Sequence, residues 1–283
     1  LTASFPNSFD KRSTWREGGA CEGMFGTRVL SGLVDGIDAY RAGLERQPRR
    51  SRSLGPAMLG AFKRLDDGEL LERIAGFPAA CVVVRKLPVK GQAEVNRFQD
   101  VVKRGAGFPA GAVPGLPELV LARRGRAPRV GPTNPMEDVR LPALRTIRGG
   151  ASGGADQDVG NGEGRDGRDA SEDSEDGDGN GPVPTLHTKM MLLGELWWHD
   201  EATLGKAADV AEFTPHRLWL GSANGTERSR RNLEFGLWAD DRALLDAAQQ
   251  FLVQVLAHSE DWPPGTDGAG GPERGQQTPT GLS

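Results

Sequence analysis

Residues 149–181 interrupt this 283-residue chain and set the first constraint on its fold. Gly, Asp, Glu and Ser dominate the stretch, and Val159 is its one large apolar residue. Such a composition cannot bury enough surface to offset its ordering entropy. It reads as a disordered acidic insertion, so a core has to be assembled from the segments on either side of it. Ten acids there face Arg165 and Arg168, a net of −8 within a chain total of −4, which leaves the remainder at +4. A mildly basic folded part is compatible with an anionic substrate, but does not by itself announce nucleic-acid binding.

Upstream, residues 1–24 are polar, with Phe5, Phe9 and Trp15 scattered among them, and read as an irregular lead-in. Val29, Leu30, Leu33, Ile37, Tyr40 and Leu44 recur at steps of three and four, which predicts an amphipathic helix. Pro48 and the basic Arg49-Arg50-Ser51-Arg52 end it in a solvated loop. Asp66 and Asp67 read as the N-cap of a short helix through Leu70, Leu71 and Ile74. Ala79 to Val84 is a β-branched run ending in Arg85-Lys86, a buried strand. A helix over 93–103 follows, then a Gly- and Pro-rich loop over 105–117 and strands over 118–123 and 144–147.

Downstream, Leu186-His187-Thr188-Lys189-Met190-Met191-Leu192-Leu193 reads as a buried strand. Trp197, Trp198 and His199 fall in an enlarged hairpin, from which Arg217-Leu218-Trp219-Leu220 returns into Gly221. Leu233 to Ala239 is a third strand. Asp240-Asp241 caps a helix whose stripe is Leu244, Leu245, Ala248, Phe251, Leu252, Val255 and Leu256. The tail, 263–283, reads as disordered. The pattern predicts an α/β fold, a mixed β-sheet flanked by helices, over residues 25–262 with the acidic insertion inside it.

The chemistry concentrates in the downstream half. His187 and Lys189 alternate onto one face of their strand, an imidazole and an ammonium set among Met and Leu. Packing explains such a pair poorly, and an anion facing it explains it well. Against a phosphodiester, a neutral imidazole attacks phosphorus and the lysine holds a non-bridging oxygen. Ser222 and Asn224 follow the neighbouring strand, where a hydroxyl and an amide bond the same oxygens. Glu234 falls on the polar side of its strand, placed to hold the imidazole tautomer, and Gly236 leaves room beside it. Arg228-Ser229-Arg230-Arg231 reads as phosphate steering, whereas His199 and His216 read as surface residues. Cys21 and Cys81 have no metal or redox spacing and read as free thiols. No apolar run approaches the roughly 20 residues that span a bilayer. The first residues lack a signal-peptide pattern, so a cytoplasmic location is expected.

His187-Thr188-Lys189, then Gly221-Ser222-Ala223-Asn224, then Asn232-Leu233-Glu234-Phe235-Gly236 resemble the signature of the phospholipase D superfamily, in its bacterial form and in a single copy. The matching run is about 186–258. The resemblance implies metal-free phosphodiester cleavage through a phosphohistidine, with no cofactor. It makes His187 the nucleophile or its partner acid, and Lys189, Ser222 and Asn224 the phosphate binders. Nucleic acid and phospholipid are both open as substrates. Three features depart from the pattern. Gly194 stands where the family usually has an aspartate, with Glu195 next; the connection to Gly221 is long; and no second His-x-Lys occurs in the chain. The resemblance therefore calls for a homodimer, or for an upstream half that a start at Leu1 leaves open, to supply the second element. The competing readings are a degenerate module for dimerisation or nucleic-acid binding, and a phosphatidyl transferase resembling cardiolipin synthases.

Overall fold

The computed structural model describes residues 11–16, 20–48, 51–86, 92–116, 119, 140–147, 186–203 and 206–262. The acidic insertion, the tail and all but Leu119 of the strand expected over 118–123 lie outside the described residues. The architecture is mixed α/β. One nine-stranded sheet runs in the order β1 (Lys11–Arg16), β2 (Ala20–Gly26), β10 (Glu234–Ala239), β9 (Lys206–Gly221), β8 (Lys189–Thr203), β3 (Ser53–Arg64), β4 (Ala79–Lys86), β7 (Leu144–Thr146) and β11 (Glu260–Asp261). A separate two-stranded ribbon pairs β5 (Phe108–Pro109) with β6 (Arg140–Leu141). β3, β4 and β7 are parallel to one another, and the other pairings of the large sheet are antiparallel.

Helices cover both faces of the sheet. α1 (Val29–Glu45), α2 (Gly68–Ala75) and α3 (Gln92–Arg104) pack on one, against Met58, Phe62, Val82, Met191, Trp219 and Trp238. α4 (Arg242–Ala257) packs on the other, with Phe108 and the 3-10 turn Ala110–Ala112, against Leu59, Val83, Leu192 and Leu218. The period-2 alternation of a strand explains the division: Met191 and Leu193 go to one core, Leu192 to the other. Caps fix the ends of the helices. Asp67 accepts from the Leu70 amide to open α2, and Asp241 accepts from the Leu244 amide to open α4. Both cysteines are free; full burial pushes the Cys81 thiol up to about 12.

One expectation needs correction, and one strand was missed. Residues 1–24 are not all irregular: β1 and β2 form a hairpin that extends the sheet beyond β10. β3, beside the central strand β8, carries Gly55, Pro56 and Gly60 and has no counterpart among the elements read from sequence. Pro56 lies beside a bulge between Ser53 and Gly55, and Gly55 takes φ 107 there. A Cβ at Gly60 would approach the Met190 carbonyl to 3.2 Å. The small residue lets β3 and β8 run close together.

β8 and β9 form the enlarged hairpin expected from sequence. Its register slips between Leu193–Arg217 and Gly194–Pro215, so His216 is the extra residue of a bulge. A Cβ at Gly194 would lie 2.3 Å from the Thr214 carbonyl and 2.6 Å from the Phe213 ring. Glycine is thus demanded by the hairpin itself. Gly194→Asp, which restores the residue the family pattern calls for, is expected to destabilise the fold by about 3 kcal/mol through overpacking and a buried carboxylate. Urea unfolding of the two proteins measures this; an unchanged midpoint would remove the steric account.

Candidate active site

The candidate residues meet at one edge of the sheet. Parallel β3 and β4 end there, β8 begins there, β9 runs out there at Gly221, and β10 starts there at Glu234. Lys189 is the first residue of β8, opposite Phe62, and only 9% exposed. His187 precedes the strand and is exposed. The Lys189 Nζ lies 3.3 Å from His187 Nδ1 and donates to the His187 carbonyl at 3.0 Å. The two side chains therefore share one locus.

Three cations act on the ring. Lys189 first, then Lys63, slight desolvation and Arg85 hold the His187 pKa below its ordinary value. Burial first, then Lys63, lowers that of Lys189, while Glu234 opposes both. Lys63 and Arg85 were not legible as site residues. Their signal was a basic residue at the end of each of two apolar runs, Phe62-Lys63-Arg64 and Val84-Arg85-Lys86. Only parallel pairing of those runs brings the two together.

Ser222 and Glu234 are joined across the β9–β10 turn. The Ser222 Oγ donates to Glu234 Oε2 at 2.5 Å and accepts from the Phe235 amide at 2.9 Å, while the Ser222 amide donates to the Phe235 carbonyl at 3.0 Å. Asn232 Nδ2 donates to Glu234 Oε1 at 3.4 Å. Glu234 thus holds Ser222 and Asn232, and among the described residues it makes no hydrogen bond to His187. The tautomer-holding contact expected of it is not formed. Asn224 Oδ1 is buried without a hydrogen-bond partner among the described residues. Gly236 does not leave open room: the Trp219 ring fills it, 2.0 Å from where a Cβ would stand. His216 bonds Tyr40 at 3.0 Å from the bulge, and His258 bonds the Gln254 carbonyl at the end of α4. A cavity of about 590 Å³ lined by Arg41, Ser53, Gly55, Pro56 and Glu195 lies at the other end of β3.

Arg230 corrects the reading of the basic run. Its guanidinium donates to Asp67 at 2.5 and 2.9 Å, to Glu69 at 2.9 Å and to Ser31 at 3.1 Å. It ties the 3-10 turn Glu227–Arg231 to α1 and α2, while Arg228 and Arg231 stay exposed. Gly225 completes the joint: Asp66 and Asp67 amides donate to its carbonyl, and a Cβ there would stand 2.6 Å from Leu65. Burial works against the Asp67 carboxylate, but Arg230 and the helix amides outweigh it and hold the pKa below the ordinary range. Asp67 stabilises the fold above the ordinary carboxylate pKa, and that contribution fades as pH falls through the depressed value. Asp67→Asn is expected to cost about 3 kcal/mol at neutral pH. The gap to the wild type should close below roughly pH 4. Unfolding curves across pH check this, and a gap that stays constant would refute it.

No family model matches the chain, and no curated protein matches it. Among solved structures, it is similar to Nuc of Salmonella typhimurium, a phospholipase D family member. That match has 10% identity and a TM-score of 0.40, and covers 89% of this chain and 97% of that one. It is also similar to NucT from Helicobacter pylori, at 11% identity and a TM-score of 0.37, over 89% and 98%. Scores this low carry no weight here, and the functional reading rests on the side chains.

Proposed function

We propose that the chain is a metal-independent phosphodiesterase acting through a phosphohistidine at His187. The observation that carries this is the single locus of His187 and Lys189, whose ring also feels Lys63 and Arg85, with Ser222 and Asn224 on the adjoining turn and Glu234 at the start of β10. Ammonium and guanidinium groups supply the positive charge that a phosphoryl group needs, in the place a divalent ion would otherwise take. The neighbouring cations favour the neutral ring, which is the nucleophilic form.

Ring Nε2 attacks phosphorus, the phosphorus–oxygen bond of the leaving group breaks, and the leaving oxygen takes a proton from an acid. Water then attacks the phosphohistidine and releases His187 unchanged. Attack through Nε2 needs the ring proton on Nδ1, the atom that Lys189 Nζ faces at 3.3 Å. A phosphate that draws the ammonium to its own oxygen frees Nδ1 for that proton. Lys189 and Ser222 bind the phosphate, Asn224 adds an amide, and Glu234 orients Ser222 while offsetting the lysine charge. The acid comes from a second His-x-Lys, supplied by a second copy of this chain or by an upstream half. The degenerate-module reading draws on the single motif and on Gly194, and the bulge supplies a steric reason for that glycine. No described helix is long and apolar enough to cross a membrane.

Incubating the chain with bis-(p-nitrophenyl) phosphate and EDTA tests the reading. Turnover is expected to survive EDTA and to fall by about 10³-fold or more in His187→Ala. If two copies share the site, specific activity should rise with protein concentration as the mass in solution doubles. Turnover abolished by EDTA would defeat the mechanism. A proton NMR titration supplies a check independent of catalysis. His187 should titrate below about 6.5, and Lys189→Met should move it upward, because the largest cause of the depression is gone. A ring that titrates at or above the ordinary value would contradict the cation cluster.

A further inference from the structure

The cavity at the far end of β3 is lined by an acid without a counter-charge among the described residues. Glu195 stands on β8 opposite Pro56 and is only 7% exposed. Strand alternation from Met191 and Leu193 turns it to the sheet face that α1 covers. Its Oε1 accepts from the Ser53 hydroxyl. Its Oε2 makes no hydrogen bond, and the carboxylate makes no ion pair, among the described residues. Asp67, a carboxylate buried in the same way, is held by Arg230 and by the Leu70 amide. A buried carboxylate with one hydroxyl for a partner opposes folding. Such a group makes sense where a ligand in the cavity of about 590 Å³ brings the positive charge.

A cation lines the same cavity and is also unmatched. Arg41 projects from α1 and is half-buried. Its guanidinium lies over the Phe77 ring at 5.4 Å, and a Cβ at Gly76 would stand 3.4 Å from its Nη1. Ring and backbone thus hold the group, with no carboxylate at ion-pair distance among the described residues. Glu45, one turn along α1, is exposed and does not pair with it. Arg41 and Glu195 therefore share one space without meeting. Leu44, Leu54, Pro56 and Pro78 give that space an apolar lining. The bulge between Ser53 and Gly55 fixes the acid, because the Ser53 hydroxyl accepts from the Gly55 amide at 3.2 Å while it donates to Glu195.

We infer that this cavity binds a small zwitterion of the amino-acid class, with its ammonium on Glu195, its carboxylate on Arg41 and an apolar side chain against the leucines and prolines. Charge decides the class. A plain cation leaves Arg41 unmatched, and a plain anion leaves Glu195 so. The cavity volume lies within the usual range for small-molecule sites, and a few polar groups set in an apolar lining are their usual make-up. Register puts Phe62 beside Lys189 at one end of β3 and Pro56 beside Glu195 towards the other. The cavity is thus separate from the His187 locus, and the inference does not rest on the phosphodiesterase reading.

The test measures binding, not cleavage. L-leucine and L-phenylalanine are titrated onto the full chain into the millimolar range and followed by ligand-observed NMR. Saturable binding of at least one is expected. For leucine, isoamylamine lacks the carboxylate and isocaproate lacks the ammonium; phenethylamine and phenylpropionate serve for phenylalanine. Each single-charge analogue should bind about tenfold more weakly than its amino acid. Glu195→Gln and Arg41→Gln should each weaken the amino acid about tenfold, while His187→Ala binds it as the wild type does. Thermal melts confirm that each variant is folded, and Arg41→Gln carries the comparison alone if Glu195→Gln is not. Absence of saturable binding by both amino acids would overturn the site. An analogue as tight as its amino acid would overturn the zwitterion, and unchanged affinity in the folded Gln variants would overturn the cavity as its place. Because no turnover is read, a chain that cleaves nothing still answers the question.

Discussion

Everything at the site depends on β3 pairing with two strands at once, β8 in antiparallel and β4 in parallel register. The first pairing joins the chain before residues 149–181 to the chain after them. The second sets Lys63 beside Arg85. From Met58 to Phe62 the strand is buried on both faces, so a register slip of one residue would exchange its two core faces. The same pairing puts Lys189 opposite Phe62, and hence His187 at the open end of the strand. The site follows from a register, and the register is fixed by what β3 buries.

The loop that carries Ser222 and Asn224 is held by a different device. Arg230 reaches Asp67, Glu69 and Ser31, and Gly225 accepts the amides that lead into α2. Asp67 serves two functions, since it also caps α2 through the Leu70 amide. A carboxylate 2% exposed would be costly alone; two guanidinium contacts and a helix N-terminus make it tolerable. The turn that carries Ser222 and Asn224 is thereby anchored to the helices that cover one core.

Local signals carried far in this sequence. The caps at Asp67 and Asp241, the β-branched run of β4, the long hairpin and the α4 stripe all appear where the residue pattern put them. The fold class followed from those elements. What escaped was non-local. Glycine and proline hid β3, because their meaning there is close approach to β8 and a bulge beside Pro56, not a turn. The short polar strands β1 and β2 gain order from pairing with each other and with β10. At the site, His187, Lys189, Ser222, Asn224 and Glu234 could be named because they cluster in sequence. Lys63 and Arg85 could not, since only the parallel pairing makes them neighbours. The inward turn of Arg230 depends on Asp67, 163 residues away.

The charge at this edge also bears on how a single His-x-Lys would work. Lys189, Lys63 and Arg85 disfavour the imidazolium of His187. On the proposed reading that suits a nucleophile and handicaps an acid, so one histidine cannot serve both steps while its surroundings stay cationic. A phosphate changes the balance. It neutralises the nearest cations, restores the basicity of a ring beside it, and lets that ring carry a proton to the leaving oxygen. Two identical copies would then need no built-in asymmetry. The direction in which the substrate lies decides which histidine attacks and which donates the proton.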